Sequence, residues 1–169
     1  MSNQDMPNHE MIVISFYNEF MADEVLESLK RMDDLAVVDL KSGAVIVRDA
    51  ADKVTIKETS DFDARQGAIG GALAGSVLGL LRGGLLKGAI LGAAGGAVAG
   101  KVIDLGLDDE FLNKIGNGLV TGSSAVVAMV DFDQVDQAMV ELDRFAGGTI
   151  LHHTLSDDVY QQLSAAVED

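Results

Sequence analysis

Residues Gly67 to Gly100 read GAIGGALAGSVLGLLRGGLLKGAILGAAGGAVAG. Glycine recurs at every fourth position in two consecutive sets, Gly67, Gly71, Gly75, Gly79 and Gly83, then Gly84, Gly88, Gly92, Gly96 and Gly100. Alanine, leucine, valine and isoleucine fill the intervals, no proline occurs, and Arg82 and Lys87 are the only charges. Residues four apart share one ridge of an α-helix, so the pattern predicts two apolar helical arms that turn near Arg82-Gly83-Gly84. Each arm carries a bare glycine groove beside a row of larger residues. That row is Ile69, Leu73, Val77 and Leu81 in the first arm and Leu86, Ile90, Ala94 and Val98 in the second.

Each glycine inside a helix costs about 0.5–1 kcal/mol against alanine, so the ten together impose several kcal/mol that close packing must offset. Steps of four residues drift right-handedly around the helix, which favours the steep crossing of small-xxx-small helix pairs. The arms are therefore expected to pack on each other and then on further copies. A flexible linker is the plain alternative, but linkers do not interleave glycine with leucine, isoleucine and valine rows.

Membrane crossing is a second reading of the same stretch. The longest uncharged runs are Gln66 to Leu81 and Gly88 to Gly100. At about 1.5 Å per residue they span roughly 24 and 20 Å, against about 30 Å of hydrocarbon. Both are short, and tilting lengthens the path required, although Arg82 and Lys87 could snorkel at the tip. There is no tryptophan, and Phe62 and Phe111 are the only aromatics near the base, so an aromatic belt is half present.

The 169-residue chain has 27 acidic against 12 basic residues, a net charge of −15. Such a balance argues against nucleic-acid binding and against charge-driven docking on anionic lipid, both of which need clustered cations. Cysteine is absent, which excludes disulfides, thiolate metal sites and a cysteine nucleophile. Residues 1–10 are polar and acidic, without the basic and apolar regions of a secretory signal, and are expected to form a short mobile tail.

Around the glycine stretch the chain alternates strand and helix signals. Met11 to Tyr17 reads as a strand, followed after Asn18 by a helix to Met32 with Val25, Leu26 and Leu29 on one face. Leu35 to Leu40, Ala44 to Arg48 and Lys53 to Lys57 read as three further strands, with Lys41-Ser42-Gly43 as a turn. After the arms come a short acidic helix start at Asp108 to Phe111, broken by Gly116 and Gly118, and a strand at Ser124 to Val130. A helix capped by Asp133 then runs to Phe145, a strand spans Thr149 to Leu155, and Ser156 caps a last helix. Residues 11–40 align without gaps on 124–153, with Val13 and Val126, Asp23 and Asp136, Leu29 and Leu142, and Arg31 and Arg144 identical.

Few motifs suggest chemistry. Gly95 to Lys101 matches the start of a phosphate-binding P-loop, but Val102 replaces the hydroxyl residue that would hold Mg²⁺ and the run lies inside a predicted helix. His152 and His153 are adjacent on a strand and so point to opposite faces, which prevents both from gripping one metal. The acidic pairs at Asp108-Asp109 and Asp157-Asp158 sit at helix starts, where carboxylates favour the dipole. No nucleophile stands beside a base.

The runs Asp104-Leu105-Gly106-Leu107-Asp108-Asp109-Glu110-Phe111, Gly122-Ser123-Ser124-Ala125 and Phe145-Ala146-Gly147-Gly148-Thr149-Ile150 resemble the bacterial family catalogued as domain of unknown function 1269. So does the opening strand with Asn18-Glu19-Phe20-Met21-Ala22-Asp23-Glu24-Val25, and the resemblance extends from about Met11 to Leu155. It implies an uncharacterised protein usually labelled a membrane protein, related in architecture to heat-induced general stress proteins, and it carries over no catalytic residue. The chain departs from the family at its shorter hairpin tip, Leu81-Arg82-Gly83-Gly84.

The expected fold is α+β, with ferredoxin-like βαβ halves sharing one sheet (residues 11–60 and 120–169) and an inserted glycine-zipper helical hairpin at 64–105. One sheet face would carry helices and the other would be open for assembly. The expected function is non-enzymatic self-assembly through the ten zipper glycines, with the hairpin associated with the inner membrane from its cytoplasmic side. The alternative is a soluble cytoplasmic homo-oligomer, a scaffold or stress-related particle with the hairpins buried between subunits. The expected partners are the chain itself and a lipid membrane. No nucleic acid, small-molecule substrate, cofactor or metal is expected. Nucleotide binding at Gly95 to Lys101 is the enzyme-class alternative.

Overall fold

The computed structural model describes residues 9–57, 63–81, 90–91, 103–131, 134–145 and 147–166. The β-branched runs make the strands. Ile12-Val13-Ile14, Ala44-Val45-Ile46-Val47 and Ala125 to Val130 are apolar on both alternating faces, the pattern of strands buried on two sides. They lie in β1 (His9–Phe16), β2 (Leu40–Arg48) and β5 (Ser123–Asp131). With β3 (Lys53–Lys57) and β6 (Thr149–Leu155) they form a five-stranded antiparallel sheet in the order β3-β2-β5-β1-β6. A two-residue strand, β4 (Ile90–Leu91), joins in parallel beside β3.

Among the described residues five helices cover this sheet: α1 (Met21–Asp34), α2 (Ala64–Leu81), α3 (Asp109–Gly118), α4 (Val135–Leu142) and α5 (Asp157–Ala166). Strand alternation divides the core in two. Ile12, Ile14, Phe16, Val45, Val47, Val126 and Val130 face α1 and α4, packing on Val25, Leu26, Leu29, Ala138 and Leu142. Met11, Val13, Ala44, Ile46, Val127 and Met129 face α2, α3 and α5, packing on Leu73, Val77, Leu112, Ile115, Val159 and Leu163. Both sheet faces are thus covered, which corrects the expectation of one open face. The second face is closed by the first glycine-rich arm itself, whose Ile69, Leu73, Val77 and Leu81 are 0–3% exposed.

Several local expectations change. Of the strand expected over Leu35 to Leu40 only Leu40, the first residue of β2, is a strand residue: α1 exits through Ala36, at φ 58°, with Leu35 N–H donating to the Arg31 carbonyl and Val37 N–H to that of Met32. Capping bonds outweigh β-propensity, and Leu35 and Val37 remain exposed. Lys41-Ser42-Gly43 is not a turn, because β2 absorbs these residues through an irregularity in its pairing between Leu40 and Ser42. In the second glycine arm, expected to be helical, Ile90 and Leu91 are strand residues. The rest of that arm lies outside the described residues, as do residues 1–8 of the tail and the proposed cap Asp133. His9 and Glu10, counted with the tail, are buried in β1.

Other helix signals hold. The Asn18 side chain accepts from Phe20 N–H (2.7 Å) and Met21 N–H (3.1 Å) at the start of α1. Asp108 accepts from Phe111 N–H (2.7 Å) to cap α3, and Ser156 accepts from Val159 N–H (3.3 Å) to cap α5. Gly116 and Gly118 do not break α3, which runs through both. Gly118 ends it against β1, where an added Cβ would lie 2.2 Å from Ser15 Oγ.

Burial of α2 on the sheet gives a direct expectation. Leu73→Ala, at a fully buried site, should lower the unfolding free energy of the whole domain by about 2–5 kcal/mol in urea titration. An unchanged midpoint would mean that the arm is not part of this core.

Candidate functional site

The candidate functional residues expected from the sequence are glycines, and α2 carries four of them in the described structure. Gly67, Gly71, Gly75 and Gly79 form one half-exposed row along the outer flank of α2, while the large residues beside them turn inward. Gly83, Gly84, Gly88, Gly92, Gly96 and Gly100 lie outside the described residues, as does the P-loop-like run Gly95 to Lys101. An ideal Cβ at Gly67 would meet nothing within 4 Å, and at Gly75 only Ile56 Cδ1 at 4.0 Å. The domain's own described packing therefore leaves room for a side chain at these two positions.

A different glycine seats the helix. Gly70 is buried, and a Cβ there would lie 2.4 Å from the Gly43 carbonyl oxygen on β2 and 2.9 Å from Ser42 Oγ. Ser42 Oγ–H donates to the Gln66 carbonyl at 2.8 Å one helical turn earlier, so strand and helix backbones touch directly. Farther along, Ser76 Oγ accepts from Ile103 N–H at 3.1 Å in the buried interior. The four-residue repeat did not single out Gly70. Its signal was available: Gly70 is the one glycine of α2 off the Gly67–Gly71–Gly75–Gly79 register.

The opposite groups of interest gather where β1 and β2 start and β5 and β6 finish. On the α2 side His9 stacks on Tyr160, ring centroids 4.1 Å apart, near Lys41, which contacts Asp39 at 2.7 Å and Asp131 at 3.9 Å. Burial holds His9 below the ordinary histidine range, against the opposing charge of Asp131. Burial likewise raises the Asp131 carboxyl, and the bond to Asp39 raises Lys41. On the α1 side the Glu10 carboxylate, 2% exposed, is bonded to His152 Nδ1 at 2.6 Å and accepts from Thr154 Oγ1 at 2.8 Å. His153 projects to the other face beside Phe111, so the two adjacent histidines are separated by the sheet. Among the described residues no three His, Cys, Asp or Glu side chains converge on a metal-sized point.

These features define an α+β domain, a five-stranded antiparallel sheet between two helical layers, with a glycine row on one outer helix. The chain belongs to the family described as Protein of unknown function (DUF1269), whose match covers residues 68–168, more than half of its length. That match begins inside α2 and reaches α5, while β1, α1, β2 and β3, which share the same sheet, precede it. No curated protein and no solved structure matches the chain.

Two expectations follow. Gly70→Ala should destabilise by about 1–3 kcal/mol through overpacking against β2, whereas Gly67→Ala should stabilise α2 by about 0.5–1 kcal/mol. Urea midpoints of the two variants distinguish the seat from the row, and equal effects would contradict the assignment. For His9 the folded value lies below the ordinary value of about 6.5, so its contribution is constant above that pH. Below it the unfolded chain takes up a proton that the folded chain resists, and stability falls until the lowered folded value is reached. His9→Gln should flatten that part of a pH–stability curve measured from pH 8 to 5.

Proposed function

We propose that this protein works by association with copies of itself, through helix-on-helix packing at the half-exposed row Gly67, Gly71, Gly75 and Gly79, and not by catalysis. The observation that carries the reading is the room at Gly67 and Gly75. Glycine costs about 0.5–1 kcal/mol in a helix, and at these positions the described contacts of the domain do not call for it. A backbone approaching from outside does, because small residues four apart allow two helices to meet closely.

Of the two settings expected for such packing, a subunit interface is favoured over lipid. The large apolar row of α2 is consumed by the sheet, leaving no apolar girdle on that helix for hydrocarbon. No helix among the described residues is long and apolar enough to cross a membrane. The homo-oligomeric scaffold or stress-related particle is accordingly the preferred form, and membrane association becomes an outcome of the test. The finer fold reading also belongs here. The connections β1-α1-β2 and β5-α4-β6, with their strands in the order β2-β5-β1-β6, support ferredoxin-like βαβ halves sharing one sheet.

The test is sedimentation velocity of the full chain without detergent, paired with flotation on a lipid density gradient. A Cβ at Gly75 meets only Ile56 Cδ1, at 4.0 Å, among the described residues, and Gly75→Leu should keep the domain's unfolding midpoint while losing the larger assemblies. An unchanged mass in that variant would remove the glycine row as an interface. Flotation of the wild-type chain with lipid would move the same row to a membrane contact.

A further inference from the structure

We propose that the outer edge of β6 pairs antiparallel with β6 of a second copy, joining two sheets into one across a two-fold axis near His152. This surface is separate from the glycine row and does not depend on it. β6 is the terminal strand of the sheet, paired with β1 along Thr149 to Leu155, and among the described residues no strand lies on its outer side. An antiparallel edge strand presents alternate N–H and C=O groups outward, a ready template for another strand.

Edges are usually blunted by proline, lysine, inward charge, bulges or shortness. β6 has none of these: seven residues, Thr149-Ile150-Leu151-His152-His153-Thr154-Leu155, in unbroken register with β1. The opposite edge is treated differently. β3 carries Lys53 and Lys57 at its ends and is partly covered by β4 at Lys53 and Val54.

The occupant follows from charge and symmetry. In a chain of net charge −15, β6 contains no carboxylate, so two copies can meet there without opposing acids in the paired strands. Antiparallel self-pairing uses the same edge twice and closes as a dimer, whereas head-to-tail growth would need a bare β3 edge. With the axis at the strand midpoint, His152 faces its own copy, Leu151 faces His153 and Ile150 faces Thr154. The Glu10 carboxylate already fixes the His152 ring at that midpoint.

The experiment uses the full chain carrying Gly75→Leu, so that association at the glycine row is removed, in detergent-free buffer over a range of concentrations. A dimer that dissociates on dilution is expected, with the outward β6 amides protected from hydrogen exchange in the dimer and losing that protection in the monomer. Adding Leu151→Lys should abolish the dimer, since the lysine stem keeps the leucine's packing while its ammonium reaches the edge. A chain that is monomeric at every concentration, or a dimer whose β6 amides exchange as fast as in the monomer, overturns the proposal. If the glycine-row reading fails instead, Gly75→Leu leaves the wild-type mass unchanged, and the β6 exchange comparison still stands on its own.

Discussion

The arrangement depends on one close approach, the contact of α2 with β2 at Gly70 and Gly43. With a Cβ at Gly70 the helix would stand off the strand, because the Gly43 carbonyl oxygen would be only 2.4 Å from it. Seated there, α2 can lower Ile69, Leu73, Val77 and Leu81 onto the sheet. Complete burial of such side chains contributes about 1.5–3 kcal/mol each. The five glycines of α2 cost about 0.5–1 kcal/mol each, so the apolar gain exceeds the penalty within a single subunit. A helix that looks too rich in glycine to stand alone is therefore stable because a sheet lies beneath it.

The same contact explains why the second sheet face is closed. The strands β1, β2 and β5 are apolar on both alternating faces, and an antiparallel sheet of that kind needs a layer on each side. α1 and α4 supply one layer, while α2, α3 and α5 supply the other. Two of the polar groups that remain inside, His9 and Glu10, lie at one end of the sheet. There Glu10 meets His152 and Thr154, and His9 meets Tyr160, so that each buried group of these sets has a partner.

Strand positions were legible wherever β-branched residues ran together, as at Ile12-Val13-Ile14 and Ala125 to Val130. The strand read over Leu35 to Leu40 was wrong as far as Asp39, where the same residue types serve a helix exit, because Ala36 adopts a left-handed conformation that its side chain does not announce. Lys41-Ser42-Gly43 looked like a turn because serine and glycine usually mark one, but Gly43 is present to admit α2. The four-residue glycine period marked a ridge of small residues on α2 and could not say which way it faces. Period alone is blind to direction, since a helix with two apolar sides may bury either. The decisive residue was the off-register Gly70, and its meaning needed Gly43, twenty-seven positions earlier, to be brought beside it.

The two proposed self-contacts differ in what they can build. The glycine row lies on the outer flank of α2, over one sheet face, and the β6 edge lies at the sheet's margin. Pairing at the edge extends the sheet in its own plane, whereas pairing at the row stacks one subunit above another. If both are two-fold contacts, each copy has two different partners, and the angle between the axes decides the product. Perpendicular intersecting axes close a tetramer of two edge-paired dimers joined at their glycine rows, and non-intersecting axes propagate a filament. A closed tetramer pairs both surfaces on every copy, whereas a filament of any length leaves one surface unpaired at each end.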